Sequence, residues 1–171
     1  MKETQLKELL RKSSTPLYVF DLAELKRRVQ YLRQVLPEKV KLCYAVKANP
    51  FILEGLSGLV DRLEICSPGE LHICRQLGLP GEKFVVSGVY KEPALLRQWI
   101  TQEEPTGIYT VESVTQFDVI CQAAQEAQKR ISLLLRLTSG NQFGLDEAQI
   151  RSLIGEYGNS EFLDIRGIQY F

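Results

Sequence analysis

The feature that most limits the folds open to this chain is a repeat. Apolar, strand-like runs begin near Val40, Leu63, Phe84, Gly107, Ile131 and Asp164, with helical patterns between them near residues 51–60, 69–77, 92–100, 113–128 and 146–156. The starts lie 20 to 24 residues apart until a last interval of 33. One strand and one helix with short loops consume about that much chain. Such βα units in succession predict a parallel sheet, either doubly wound or closed as a barrel. No glycine-rich phosphate fingerprint follows the first strand, which argues against the doubly wound dinucleotide-binding form.

A lead-in of residues 1–38 precedes the repeat of residues 39–171. Met1–Lys12 reads as a short helix with Leu6, Leu9 and Leu10 on one side, and Leu17–Phe20 reads as a strand. Asp21 is placed to cap the next helix, with Glu24 three residues on in a capping-box arrangement. Leu22, Leu25, Val29, Leu32 and Leu36 form its apolar stripe, and Pro37 stops it. Farther along, Pro93 opens a helix at its first turn. Ser113 and Gln116 predict a second capping box, ahead of a buried stripe of Val114, Phe117, Ile120 and Ala124.

Charge and cysteine usage narrow the function classes. The 21 basic and 21 acidic residues balance, so neither a nucleic-acid nor a membrane-surface partner is indicated. The amino terminus lacks the apolar core of a signal peptide, and no run approaches the ~20 apolar residues of a membrane span. A cytoplasmic protein is the expectation. Cys43, Cys66, Cys74 and Cys121 show no CxxC pairing and His72 is the single histidine, which argues against zinc. Cys43, Cys66 and Cys121 fall within apolar patterns and are expected as packed core thiols.

The run Val40–Pro50 places Lys47 at the carboxyl end of a strand that is apolar on both faces up to that point. Barrels of the βα type keep their chemistry at those ends. A lysine amine drawn out of water there loses its proton more readily and can attack a carbonyl, as a Schiff-base lysine must. From position alone, a lysine that merely closes the strand and points into water is an equal alternative. The wording is more specific. Tyr44-Ala45-Val46-Lys47-Ala48-Asn49, preceded by Thr15-Pro16-Leu17-Tyr18-Val19-Phe20-Asp21, resembles the alanine-racemase-like pyridoxal-phosphate (PLP) enzymes, above all their diaminopimelate/ornithine decarboxylase branch.

That resemblance implies an α/β TIM (β/α)8 barrel of which this chain supplies about six strands, with a β-rich second domain lying beyond Phe171. A complete barrel needs eight units and about 250 residues, so the chain is expected to be the amino-terminal part of a longer one. The resemblance also implies that Lys47 holds PLP as a Schiff base. Leu63 and Ile65 predict an outward face that leaves Glu64 and Cys66 inward, and the resemblance puts Glu64, where the family has aspartate, near the cofactor. The structural alternative is an internal salt bridge. Ile131, Leu133, Leu135 and Leu137 alternate with Ser132, Leu134, Arg136 and Thr138, which aims Arg136 inward. A buried guanidinium needs an acceptor; the expected partners are Glu64, the cofactor or both, and a purely structural Arg–Glu pair is the alternative. Ser87-Gly88 matches a family Ser-Gly, or is simply a tight turn. The loop Thr138–Asp146 is similar to the family's Lys-Phe-Gly loop with Gln142 in place of lysine, and Asp146 is placed to cap the next helix.

Phe171 stands where the family places a histidine on the PLP ring, and Gln169 also replaces a frequent histidine. Phenyl keeps the aromatic face but has no proton to give. The implied function is a PLP-dependent decarboxylase of a basic or diamino amino acid, acting on a small amino-acid substrate as a homodimer. A PLP-dependent racemase or epimerase on the same barrel, and a non-catalytic PLP-binding regulator, are the alternatives.

Overall fold

The computed structural model of the protein describes residues 3–88, 90–101 and 107–171. Strands β1 (Cys43–Ala45), β2 (Arg62–Ile65), β3 (Phe84–Val86), β4 (Ile108–Val111), β5 (Ile131–Leu137) and β6 (Leu163–Tyr170) form one six-stranded sheet in chain order. Every pairing is parallel. Helices α1 (Glu3–Lys12) and α2 (Leu22–Val35) precede the sheet. Helices α3 (Leu53–Leu56), α4 (Pro68–Gln76), α5 (Pro93–Thr101), α6 (Val114–Glu126) and α7 (Glu147–Tyr157) make the crossovers. The architecture is the expected parallel α/β arrangement. Among the described residues β1 and β6 are its two edges and do not pair with each other.

Alternation along the strands separates two faces. Leu63, Ile65, Phe84, Val86, Tyr109, Val111, Leu133 and Leu135 are buried on the outer one. They join Leu96, Trp99, Ile100, Phe117, Ile120 and Ala124 of α5 and α6 in a single apolar core. Side-chain caps start the helices where polar residues follow the strands. Ser67 accepts from Glu70 N, Ser113 from Gln116 N and Asp146 from Gln149 N, the last within a complete capping box. The Gln116 side chain reaches one residue beyond its cap and accepts from Glu112 N at 3.1 Å.

Three expectations are corrected. The segment Leu17–Phe20 pairs with none of the six strands. A strand exists through its partner, and here the exposed Phe20 instead stacks on Phe51, with ring centroids 6.3 Å apart. The first strand is short: it ends at Ala45, and Val46–Ala48 forms a 3-10 turn that carries Lys47. Cys43 is exposed and Cys66 half-buried, because both stand on the inner side of the sheet and not among the helices. In α1, Met1 and Lys2 lie outside the described residues.

The last pairing carries an irregularity that sets the phase of β6. Leu133 is opposite Ile165, yet Leu134 is opposite Gly167, so Arg166 is an extra residue. Before it, Leu163 faces the core and Asp164 accepts from Ser132 Oγ at 3.3 Å on the inner side. After it, Gly167 and Gln169 fall opposite the inner Leu134 and Arg136.

The fully buried outer face makes Leu133 a sensitive probe of this packing. Leu133→Ala should cost about 2–5 kcal/mol by loss of buried area and creation of a cavity. Ile168→Ala, at an exposed position, should cost well under 1 kcal/mol. Denaturant midpoints of the two variants check the contrast.

Candidate active site

The inner face gathers polar groups at the carboxyl ends of the strands. Lys47, Glu64, Cys66, Ser87, Gly88, Glu112, Arg136, Gln169 and Phe171 line one cleft. All four residues singled out from the sequence, Lys47, Glu64, Arg136 and Phe171, are therefore brought together. Their surroundings differ from expectation in two respects. Lys47 is exposed on its turn, not desolvated at a strand end. Arg136 does not take Glu64 as its carboxylate; its Nη1 donates to Glu112 Oε2.

Glu64 has its own partner. Ser87 Oγ donates to Glu64 Oε1 at 2.8 Å and lies 3.3 Å from Cys66 Sγ, so the ends of β2 and β3 are tied across the cleft floor. Burial pushes the Cys66 thiol up from its ordinary range. Gly88 follows with φ +94, and a Cβ there would meet Cys66 O at 2.7 Å. Only glycine lets the chain turn so close to the neighbouring strand.

Arg136 is held from three sides. Besides Glu112, the rings of Phe143 and Phe171 approach its guanidinium carbon, with centroids at 5.5 and 5.8 Å. Phe143 is brought back by the loop after β5, because Leu145 N donates to Arg136 O at 2.7 Å and Thr138 N donates to Leu145 O at 2.9 Å. Phe171 is otherwise open, 82% exposed, and leaves the sheet on the Gln169 side.

Behind the cleft lies a group that sequence reasoning missed. The Lys91 and Glu112 side chains are 1% and 2% exposed, with Nζ 3.8 Å from Glu112 Oε1. Lys91 Nζ also donates to Gly88 O at 2.5 Å and to Gln116 Oε1 at 3.5 Å. Burial pulls the Lys91 amine down from its ordinary 10.5 to about 8, with Glu112 opposing that fall. Glu112 was legible in principle: it is two residues past Thr110, whose partner Leu134 marks the inner face. No comparable pattern marks Lys91, which sits in the loop before α5.

A cleft of this composition can hold an aldehyde-bearing aromatic cofactor. Lys47 offers the amine, Phe171 an aromatic face, and Arg136 a cation with further N–H donors. Among the described residues, Glu112 Oε1 and Gln169 Oε1 are buried acceptors without a hydrogen-bond partner. The enclosed volume, ≈ 90 Å³, is below the range of about 300–1,000 Å³ usual for small-molecule pockets, so these residues form one wall of a site.

The chain belongs to the pyridoxal-binding domain family of the pyridoxal-dependent decarboxylases, whose pattern it matches over residues 22–156. It is 34% identical over 134 residues to the diaminopimelate decarboxylase of Aquifex aeolicus, covering 77% of this chain and 31% of that protein. It is 26% identical over 138 residues to the lysine/ornithine decarboxylase of Selenomonas ruminantium, covering 80% of this chain and 34% of that protein. Among solved structures, SrLDC in complex with PLP and cadaverine superposes with a TM-score of 0.79 at 25% identity, covering 99% of this chain and 43% of that one. The chain thus spans about a third of the length of the curated relatives it matches. Among the described residues no helix is long and apolar enough to cross a membrane.

The buried lysine gives a pH dependence with a defined sign. Between about pH 8 and 10.5 the unfolded chain holds the Lys91 proton and the folded chain does not. Its contribution therefore makes stability rise with pH across that window. Denaturant unfolding of Lys91→Met at several pH values should show that rise reduced relative to wild type, with the two slopes alike below pH 8.

Proposed function

We propose that the protein carrying this chain is a PLP-dependent decarboxylase of a basic or diamino amino acid, working as a cytoplasmic homodimer. The observation that carries the reading is the convergence of Lys47, Glu64, Arg136 and Phe171 on one cleft in a member of the pyridoxal-binding family. The diaminopimelate and lysine/ornithine decarboxylases among its relatives support the substrate class.

PLP, when bound, supplies an aldehyde that condenses with amines and a ring that draws electrons from the bond being broken. The chain's own residues bind and orient. Lys47 presents its amine on an exposed turn, where a cofactor aldehyde can reach it. Val46, fully buried beneath, anchors that turn. Phe171 packs a ring face and keeps proton exchange away from that side. Arg136 brings a permanent positive charge to anionic oxygens, and Glu64, fixed by Ser87, sets a carboxylate on the opposite strand.

The purified protein should bind PLP with the visible absorbance of a lysine-linked cofactor, and Lys47→Ala should abolish that absorbance. An unchanged spectrum would remove Lys47 from the role. Release of carbon dioxide from diaminopimelate, lysine or ornithine supports the decarboxylase reading. Stereochemical inversion without carbon dioxide would replace it with a racemase, and cofactor binding without turnover would replace it with a regulator.

Phe171 supplies a second test. Phe171→His should retain cofactor affinity and alter mainly the pH dependence of the bound-cofactor spectrum, since imidazole stacks but also titrates near neutrality. Phe171→Ala should weaken PLP binding through loss of a packing surface. Equal affinity in Phe171→Ala would show that the ring does not touch the cofactor.

A further inference from the structure

The row Lys91–Glu112–Arg136 runs from the buried side of the sheet to the cleft. Glu112 stands at its centre, just past β4, with one oxygen on each neighbour. Oε2 accepts from Arg136 Nη1. Oε1 is 3.8 Å from Lys91 Nζ and has no hydrogen-bond partner among the described residues. The backbone holds the carboxylate in place: Glu112 N donates to Gln116 Oε1, the acceptor that Lys91 also reaches. Lys91 is fixed in turn by Gly88 O. The charged and titratable groups that face Lys91 are Glu112 beyond β4, Cys66 beyond β2 and Arg136 on β5.

A carboxylate this deeply buried is costly unless it is fully used. Its use here is directional. A planar guanidinium has one preferred plane and a fixed fork of donors. Contact with Glu112 on one edge, and with Phe143 and Phe171 rings nearby, removes its rotational freedom. The rest of the fork is left for the cleft that Arg136 lines. Two cations around one carboxylate also leave the row with a net positive charge beside the cleft.

We propose that Glu112, backed by Lys91, is a positioning residue that orients the Arg136 guanidinium toward an anionic oxygen of the bound pyridoxal cofactor. The proposal rests on the pyridoxal reading of the cleft. Glu112 touches no ligand itself. It acts through Arg136, and Lys91 acts through Glu112 by holding the second oxygen away from the guanidinium.

The test is a double-mutant cycle on PLP affinity, read by equilibrium dialysis, with the visible spectrum and thermal midpoint recorded for each protein. Glu112→Gln keeps the shape and removes the charge; it should raise the dissociation constant for PLP about tenfold, in line with loss of a charge-assisted contact. Arg136→Leu should raise it at least as much. Glu112→Gln placed on Arg136→Leu should add nothing further, because the residue it acts through is gone. Lys91→Met should shift the spectrum of bound cofactor in the direction seen for Glu112→Gln, by a smaller amount. Glu112→Asp keeps the charge without the reach; it should fall between wild type and Glu112→Gln, and it supplies the cycle if the glutamine variant does not fold. Additive losses in the cycle, or a lower thermal midpoint with unchanged PLP affinity, would overturn the inference. A wild-type protein that binds no PLP, or a Lys47→Ala protein with an unchanged spectrum, would instead sink the pyridoxal reading itself.

Discussion

Burial of the outer sheet face is the constraint from which the other features follow. Val86, Tyr109, Val111, Leu133 and Leu135 are driven under the helices, and the pleat then leaves their sequence neighbours no choice of side. Thr110, Leu134 and Arg136 must face inward because the residues between them cannot. The polar inner face is thus a by-product of apolar packing elsewhere. The cleft chemistry is held by a core it does not belong to, and its side chains are free to differ in kind so long as that core is kept.

This division explains what could be read from the sequence. Arg136 and Glu64 were legible because each lies inside an alternating run, where a single buried neighbour fixes the direction. Lys47 was legible as a residue of a motif, but its surroundings were not. The apolar run continues to Val46, yet the backbone leaves the strand at Ala45. Burial of Val46 is satisfied equally well by a 3-10 turn, and hydrophobicity does not distinguish the two. The Leu17–Phe20 segment has strand-like residues and, among the described residues, no strand beside it, a condition set by neighbours distant in sequence.

The carboxylate beside Arg136 is Glu112 and not the expected Glu64, for a related reason. Glu64 has the right sign and the right face, but Ser87 already occupies it. Glu112 lies at a joint between strand and helix, where alternation gives way to capping and periodicity stops being informative. Residues at such joints do not contribute to a pattern, and this is where the structure adds most. The same holds for Lys91, which enters the interior from a loop and is recognisable only by its burial.

The extra residue at Arg166 has a consequence for how β6 can change. It acts as a phase shifter. The part of the strand ahead of it answers to the core, through Leu163, and the part behind it answers to the cleft, through Gln169. The two halves are mechanically continuous but obey opposite parity. Loss of Arg166 would restore plain alternation and keep Gln169 and Phe171 at the cleft, whereas pairing Arg166 in line opposite Leu134 would leave the first half undisturbed and rotate the second, exchanging Gln169 and Phe171 for Ile168 and Tyr170. A whole new set of contacts is therefore one straightened bulge away, and comparisons among related chains that slip by one position at Arg166 would pair residues that face opposite sides of the sheet.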